Sequence, residues 1–253
     1  MPVTPATSAV RWWDWLVAFV GGNVLGLVPL LAVIAVMLVA RGGLTPLDVA
    51  AAALPFTATY AAIMGTLLFG DAAMLGVTYW LAWRRVARPF AVYFAAVPLR
   101  AMLFAVASGA ALSLLLNGGN QFLQSRGLVH FTDTPLERML VPHGVLQFLL
   151  SALTVSLVAP LAEEFVFRGL LMRWLMPFAR VAGAVLISGL IFGLVHGQYA
   201  QHPGAQGWLL TAELVLAGIV LGWWAARTGS LRTSFATHAA FNLTATLLSL
   251  FWP

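Results

Sequence analysis

Three short clusters of polar residues lie inside otherwise apolar sequence, and their types are those of water-activating chemistry. Glu163 and Glu164 precede Phe165-Val166-Phe167-Arg168, His196 follows Phe192 by four residues, and His238 precedes Asn242 by four. On a helix, Glu164 and Arg168 share a face and can pair, whereas Glu163 is rotated by about 100° and has no such local partner. His238 and Asn242 likewise address one point. A carboxylate and a neutral imidazole can take a proton from water, and a second imidazole with a primary amide can donate to a developing oxyanion. Alternatively, Glu163, His196 and His238 offer the O,N,N donor set of a catalytic Zn2+ site with one position open for water. Each cluster alone has a plainer account: an ion-pair network, a core histidine, a polar staple between helices. Their co-occurrence in apolar surroundings argues for a shared wet pocket, because each charged group at membrane depth costs at least ~2.5–3.5 kcal/mol.

The elements that must carry these residues follow from composition. Of 253 residues 61% are hydrophobic and 8% charged, against roughly 25% charged in a soluble domain; the mean hydropathy is +0.93. Too little charge is present to coat a water-facing globule, so the expected fold is all-α, a polytopic transmembrane helix bundle of about seven spans. Apolar runs place these at about 16–40, 57–82, 91–116, 145–175, 180–198, 207–226 and 231–251, with 44–56 a loop or short surface helix and 117–144 the longest polar stretch. Two parts are expected: N-terminal spans with their connecting loop over 1–144, and a core carrying the chemistry over 145–253. The first apolar run is too long for a cleavable signal. Prolines 89, 98, 177 and 203 should punctuate linkers or kink helix ends.

All thirteen basic residues are arginine and the net charge is +5. They are scattered between spans rather than clustered, which marks topology and not nucleic-acid binding. Arg84, Arg85 and Arg88 assign their loop to the cytoplasm; alternation adds Arg11, Arg173, Arg180, Arg227 and Arg232, leaving Arg41, Arg126 and Arg138 opposite. The N-terminus is then cytoplasmic and the C-terminus outside. The absence of cysteine excludes thiol nucleophiles and thiolate metal sites. Gly189, Gly193 and Gly197 recur every four residues, allowing a neighbouring helix close approach.

Counting ~1.5 Å per residue, Glu163 lies about 15 Å from Arg173 but His196 about 24 Å from Arg180, a mismatch unless the helix after Pro177 begins along the interface. Asp71 and Glu213 also fall within or near spans, where either could line a cavity, and helix-end or packing roles are the favoured reading for both. His130, His143 and His202 are expected to be solvated, and Trp12, Trp13, Trp15, Trp223 and Trp224 to be interfacial anchors.

Glu163-Glu164-x-x-x-Arg168, Phe192-x-x-x-His196 and His238-x-x-x-Asn242, in that order on consecutive apolar spans, resemble the CPBP intramembrane proteases. That family includes the type II CAAX prenyl endopeptidases and the lysostaphin-resistance and bacteriocin-immunity proteins. Flanks such as Arg227-Thr228-Gly229-Ser230-Leu231 agree, and the resemblance covers about 155–247. It implies an intramembrane endopeptidase acting on a membrane-associated peptide or protein. Glu163 and His196 would activate water, His238 and Asn242 would stabilise the oxyanion, and Glu164 with Arg168 would orient the site; family members have been described both as glutamate-dependent and as metalloproteases. There is no His-Glu-x-x-His motif, no complete aspartyl Gly-x-Gly-Asp, and no rhomboid Gly-x-Ser. A non-enzymatic scaffold or immunity protein, and an ion or proton pathway, are the rival readings. Membrane lipids are expected partners, and the Ala- and Arg-rich, Lys-free composition suggests a bacterial cytoplasmic membrane.

Overall fold

A computed structural model describes residues 10–40, 56–81, 83–86, 89–134, 137–138, 141–202 and 204–251. Arg41, nearly all of the expected 44–56 loop, Arg88 and Pro203 lie outside them. All regular structure among the described residues is helical. The chain forms α1 (Asp14–Ala40), α2 (Phe56–Leu81), a short turn at Trp83–Arg85, α3 (Pro89–Tyr93) and α4 (Leu99–Ser125). A composite run follows: α5 (Val145–Leu153), a π turn (Thr154–Val158), α6 (Ala159–Glu164), a second π turn (Phe165–Leu171) and α7 (Met172–Val195). The chain ends in α8 (Gln198–Gln201), α9 (Ala205–Thr228) and α10 (Leu231–Phe251).

Five stretches are long and apolar enough to cross a membrane. One of them, Val145–Gln201, is 57 residues long and is bent back on itself at Arg180, whose φ of 59° and ψ of 173° are not helical. The two arms then pack together: Ser188 Oγ donates to the Phe167 carbonyl at 3.3 Å, and the Phe167 and Phe192 rings meet edge to face at 5.2 Å. The run therefore holds the fourth and fifth expected spans. α10 supplies the seventh; its polar face, from Thr233 to Asn242, dilutes its hydropathy and packs inward.

Small residues set the helix spacing. A Cβ on Gly26 of α1 would lie 2.9 Å from the Gly70 Cα of α2, and one on Gly193 of α7 would lie 2.7 Å from the Val215 nitrogen of α9. Gly189 and Gly218 touch across the same seam. The expected four-residue glycine stripe stops there, since Gly197, with φ of +69°, terminates the helix instead of extending the contact.

The third expected span is displaced. Pro98 is extended and α4 starts only at Leu99, while the polar Asn117–Asn120 stretch stays helical. Asn117 Nδ2 donates to the Ser113 carbonyl at 2.9 Å and Asn120 Nδ2 to Glu213 Oε2 at 3.2 Å. Several arginines gather at one end of the bundle: Arg85 pairs with Asp14 at 3.0 Å, Arg232 Nε donates to the Phe94 carbonyl, and Arg173 lies 4.2 Å over the Tyr93 ring. At the other end, His202 is buried, not solvated. Its Nε2 lies 3.1 Å from Glu137 Oε1 and its Nδ1 2.9 Å from Gln206 Nε2. Trp224 also departs from expectation, being buried with its indole N–H donated to Ser108.

Candidate functional site

The central polar group is built around α6. Glu164 and Arg168 are four residues apart and fully buried, with Arg168 Nη1 3.0 Å from Glu164 Oε1. Arg168 Nη2 donates to the Gly218 carbonyl at 2.7 Å, and its guanidinium stands 4.6 Å over the Phe192 ring. The Gly189–Gly218 approach makes that reach possible, because it brings the α9 backbone to the back of the cluster. A buried charge pair survives only with such added contacts.

His238 joins the two carboxylates. Its Nδ1 lies 3.0 Å from Glu164 Oε1 and its Nε2 3.7 Å from Glu163 Oε2. The first distance is a hydrogen bond and the second is too long for one. A carboxylate held against Arg168 is an acceptor, so Nδ1 carries the proton and Nε2 is presented to Glu163. The same logic fixes the tautomer of His196, whose Nδ1 is 2.6 Å from the Phe192 carbonyl: the carbonyl can only accept, so Nδ1 carries the proton, and in the neutral ring Nε2 has the lone pair. Phe192 separates the two imidazoles, with centroids 4.6 Å from His196 and 5.6 Å from His238.

Asn242 is tied into the backbone. Its Nδ2 donates to the Val155 carbonyl at 2.7 Å. Within a π turn that carbonyl would accept from the N–H five residues on, and the residue there is Pro160, which has none. Asn242 supplies the missing donor. In the second π turn the Phe167 carbonyl keeps its backbone donor, the Met172 N–H, and Ser188 adds a second from its side chain. One amide hydrogen of Asn242 is thus spent on the helix, and the second is left for a ligand.

Glu163, His196, His238 and Asn242 line one cavity of about 460 Å³, within the usual range for small-molecule and peptide-fragment sites. Glu164 and Arg168 stand behind its wall. The depth mismatch between Glu163 and His196 disappears: Glu163 is seventeen residues before Arg180 and His196 sixteen after it, so two arms of about 25 Å and 24 Å reach the same level. Asp71 of α2 also lines the cavity and is 6% exposed. Of its two expected readings the cavity-lining one holds and the favoured packing one does not, because the cavity draws walls from α1 and α2.

The three donors of the zinc alternative have the right chemistry but are not gathered as a ligand set. Among the described residues no group of three or more His, Asp or Glu side chains could hold a metal ion.

Residues 145–244 match the family described as type II CAAX prenyl endopeptidase, Rce1-like. The chain is also 28% identical over 124 residues to an uncharacterized 24.3 kDa protein of Escherichia coli, a match that spans 46% of this chain and 52%, about half, of that protein. No solved structure matches. The match to 145–244 covers less than half of the chain but contains Glu163, His196, His238 and Asn242, so the part of the chain that carries the polar cluster is the part that is similar to the Rce1-like type II CAAX prenyl endopeptidases.

Proposed function

We propose that the protein is an intramembrane endopeptidase that hydrolyses a peptide bond of a membrane-associated substrate with an activated water. The observation that carries this reading is the placement of His238 between Glu163 and Glu164 at the wall of a cavity shared with His196 and Asn242. Glu163 takes the proton of a water lodged in the cavity beside it; the 3.7 Å between Glu163 Oε2 and His238 Nε2 is too long for a direct hydrogen bond and too short to admit a water on the line between them. His196, as the neutral ring with Nε2 unprotonated, holds the same water from a second side. The oxygen attacks the scissile carbonyl, and Glu163 passes its proton to the leaving nitrogen. His238, flanked by a carboxylate on each nitrogen, enters the reaction doubly protonated, donates from Nε2 to the oxyanion and keeps both protons, and the second amide hydrogen of Asn242 joins it. Glu164 and Arg168 act as positioning residues that hold the imidazole.

The arginine-bearing end faces the cytoplasm in this reading, and the C-terminus lies outside. The family suggests a prenylated C-terminal CAAX peptide as the first probe. The test is cleavage of that peptide, with and without its lipid, by protein in liposomes. Turnover of either form that is lost in Glu163→Ala and His196→Ala supports the assignment. Undiminished turnover in both variants overturns it, as does absence of cleavage alongside liposome ion flux that needs Glu163.

A further inference from the structure

The proposed mechanism leaves one buried acid of the cavity unused. Asp71 projects from α2, while His238 and Asn242 come from α10, and both helices pack on α6. The carboxyl is 6% exposed, it lines the cavity, and its Oδ2 is buried without a hydrogen-bond partner among the described residues. Leaving such a group unpaired is costly. The adjacent Gly70 faces α1, where it meets Gly26, so the contact that seats α2 turns the next residue towards α6.

We propose that Asp71 receives the nitrogen side of the scissile bond, accepting the substrate's amide N–H and then the ammonium group that cleavage creates. This rests on the peptidase reading above. A trans peptide presents its C=O and N–H in opposite directions, so a site whose donors take the oxygen needs an acceptor elsewhere for the N–H. A carboxylate is acceptor-only, and Asp71 is the lining acid that the water-activating group leaves over. The balance agrees. The carbonyl carbon gains the water oxygen, the C–N bond breaks, and both water protons finish on nitrogen, giving a carboxylate and an ammonium. The ammonium, once formed, favours the carboxylate form of Asp71 and is retained by it through a charge-assisted contact.

The experiment compares inhibition of peptide cleavage in liposomes by the released C-terminal fragment, with its new amino group free or acetylated. The free form is expected to inhibit the unsubstituted protein about tenfold more strongly, the worth of one charge-assisted hydrogen bond. That preference should fall towards unity in Asp71→Asn, which keeps the shape and loses the charge, and in Asp71→Leu, with both variants checked for folding by thermal melting. Equal inhibition by the two fragments in the unsubstituted protein overturns the proposal even when neither variant folds, as does a preference unchanged in folded variants. Cleavage that survives Glu163→Ala, or that never occurs, defeats the peptidase reading and takes this proposal with it; cleavage that depends on Glu163 but shows no fragment preference defeats the role of Asp71 alone.

Discussion

His238 Nδ1 sits 3.0 Å from Glu164 Oε1, an oxygen that also accepts from Arg168. The two neighbouring glutamates therefore do different work: Glu164 is an internal anchor without exposed surface, and Glu163 is 20% exposed at the cavity wall.

This division predicts opposite phenotypes for two conservative changes. Glu164→Gln leaves the Arg168 charge buried without its counter-ion, a loss of about 3–5 kcal/mol, visible as a large fall in melting temperature. Glu163→Gln should melt close to the unsubstituted protein while peptide cleavage falls about 100-fold or more. Equal losses of stability in both would remove the distinction between anchor and base.

Asn242 and Pro160 should be coupled energetically. Asn242→Ala orphans the Val155 carbonyl, at a cost of about 1–3 kcal/mol. Pro160→Ala returns a backbone N–H five residues from Val155, so the double variant should regain part of that stability without regaining turnover. A double-mutant cycle on melting free energies measures this. Strict additivity would mean that the carbonyl is served some other way, and recovery of turnover would confine Asn242 to a structural task.

Much of the site was legible because its logic is local. The four-residue spacing of Glu164 and Arg168 predicts their pair, and the shared turn of His238 and Asn242 predicts their common face. What escaped depends on partners distant in sequence. His202 is buried where Glu137, 65 residues earlier, closes on it. Asp71 reaches the cavity because α2 packs on α6. The bend at Arg180 carries neither the glycine nor the proline that normally announces a break, and the nearby Pro177 drew the expected break too early. The π turns have no sequence signature beyond Pro160, yet they set which way Glu163 points.

Helix spacing gives a third test. An alanine at Gly218 would put its Cβ 2.9 Å from the Gly189 Cα and push away the backbone whose carbonyl holds Arg168. Gly218→Ala should lower both the melting temperature and turnover. Gly76→Ala on α2, where a Cβ meets nothing within 4 Å, should leave turnover unchanged and raise stability by about 0.5–1 kcal/mol. If the two behave alike, the α7–α9 seam does not govern the site.

Metal dependence is the remaining discriminator, and the tautomers sharpen it. Both imidazoles have Nδ1 committed, His196 to the Phe192 carbonyl and His238 to Glu164, so both Nε2 atoms are chemically fit to bind zinc. Glu163 Oε2 nevertheless stands 3.7 Å from His238 Nε2, and the three donors do not form a ligand group. Turnover in liposomes is therefore expected to withstand prolonged chelation and dialysis, with no zinc retained by the purified protein above the level in Glu163→Ala. Loss of turnover on chelation, reversed by Zn2+ and accompanied by zinc binding that Glu163→Ala abolishes, would instead mean that Glu163, His196 and His238 draw together around the metal. Glu163 would then be a ligand, and the base that deprotonates water would have to be sought elsewhere on the cavity wall.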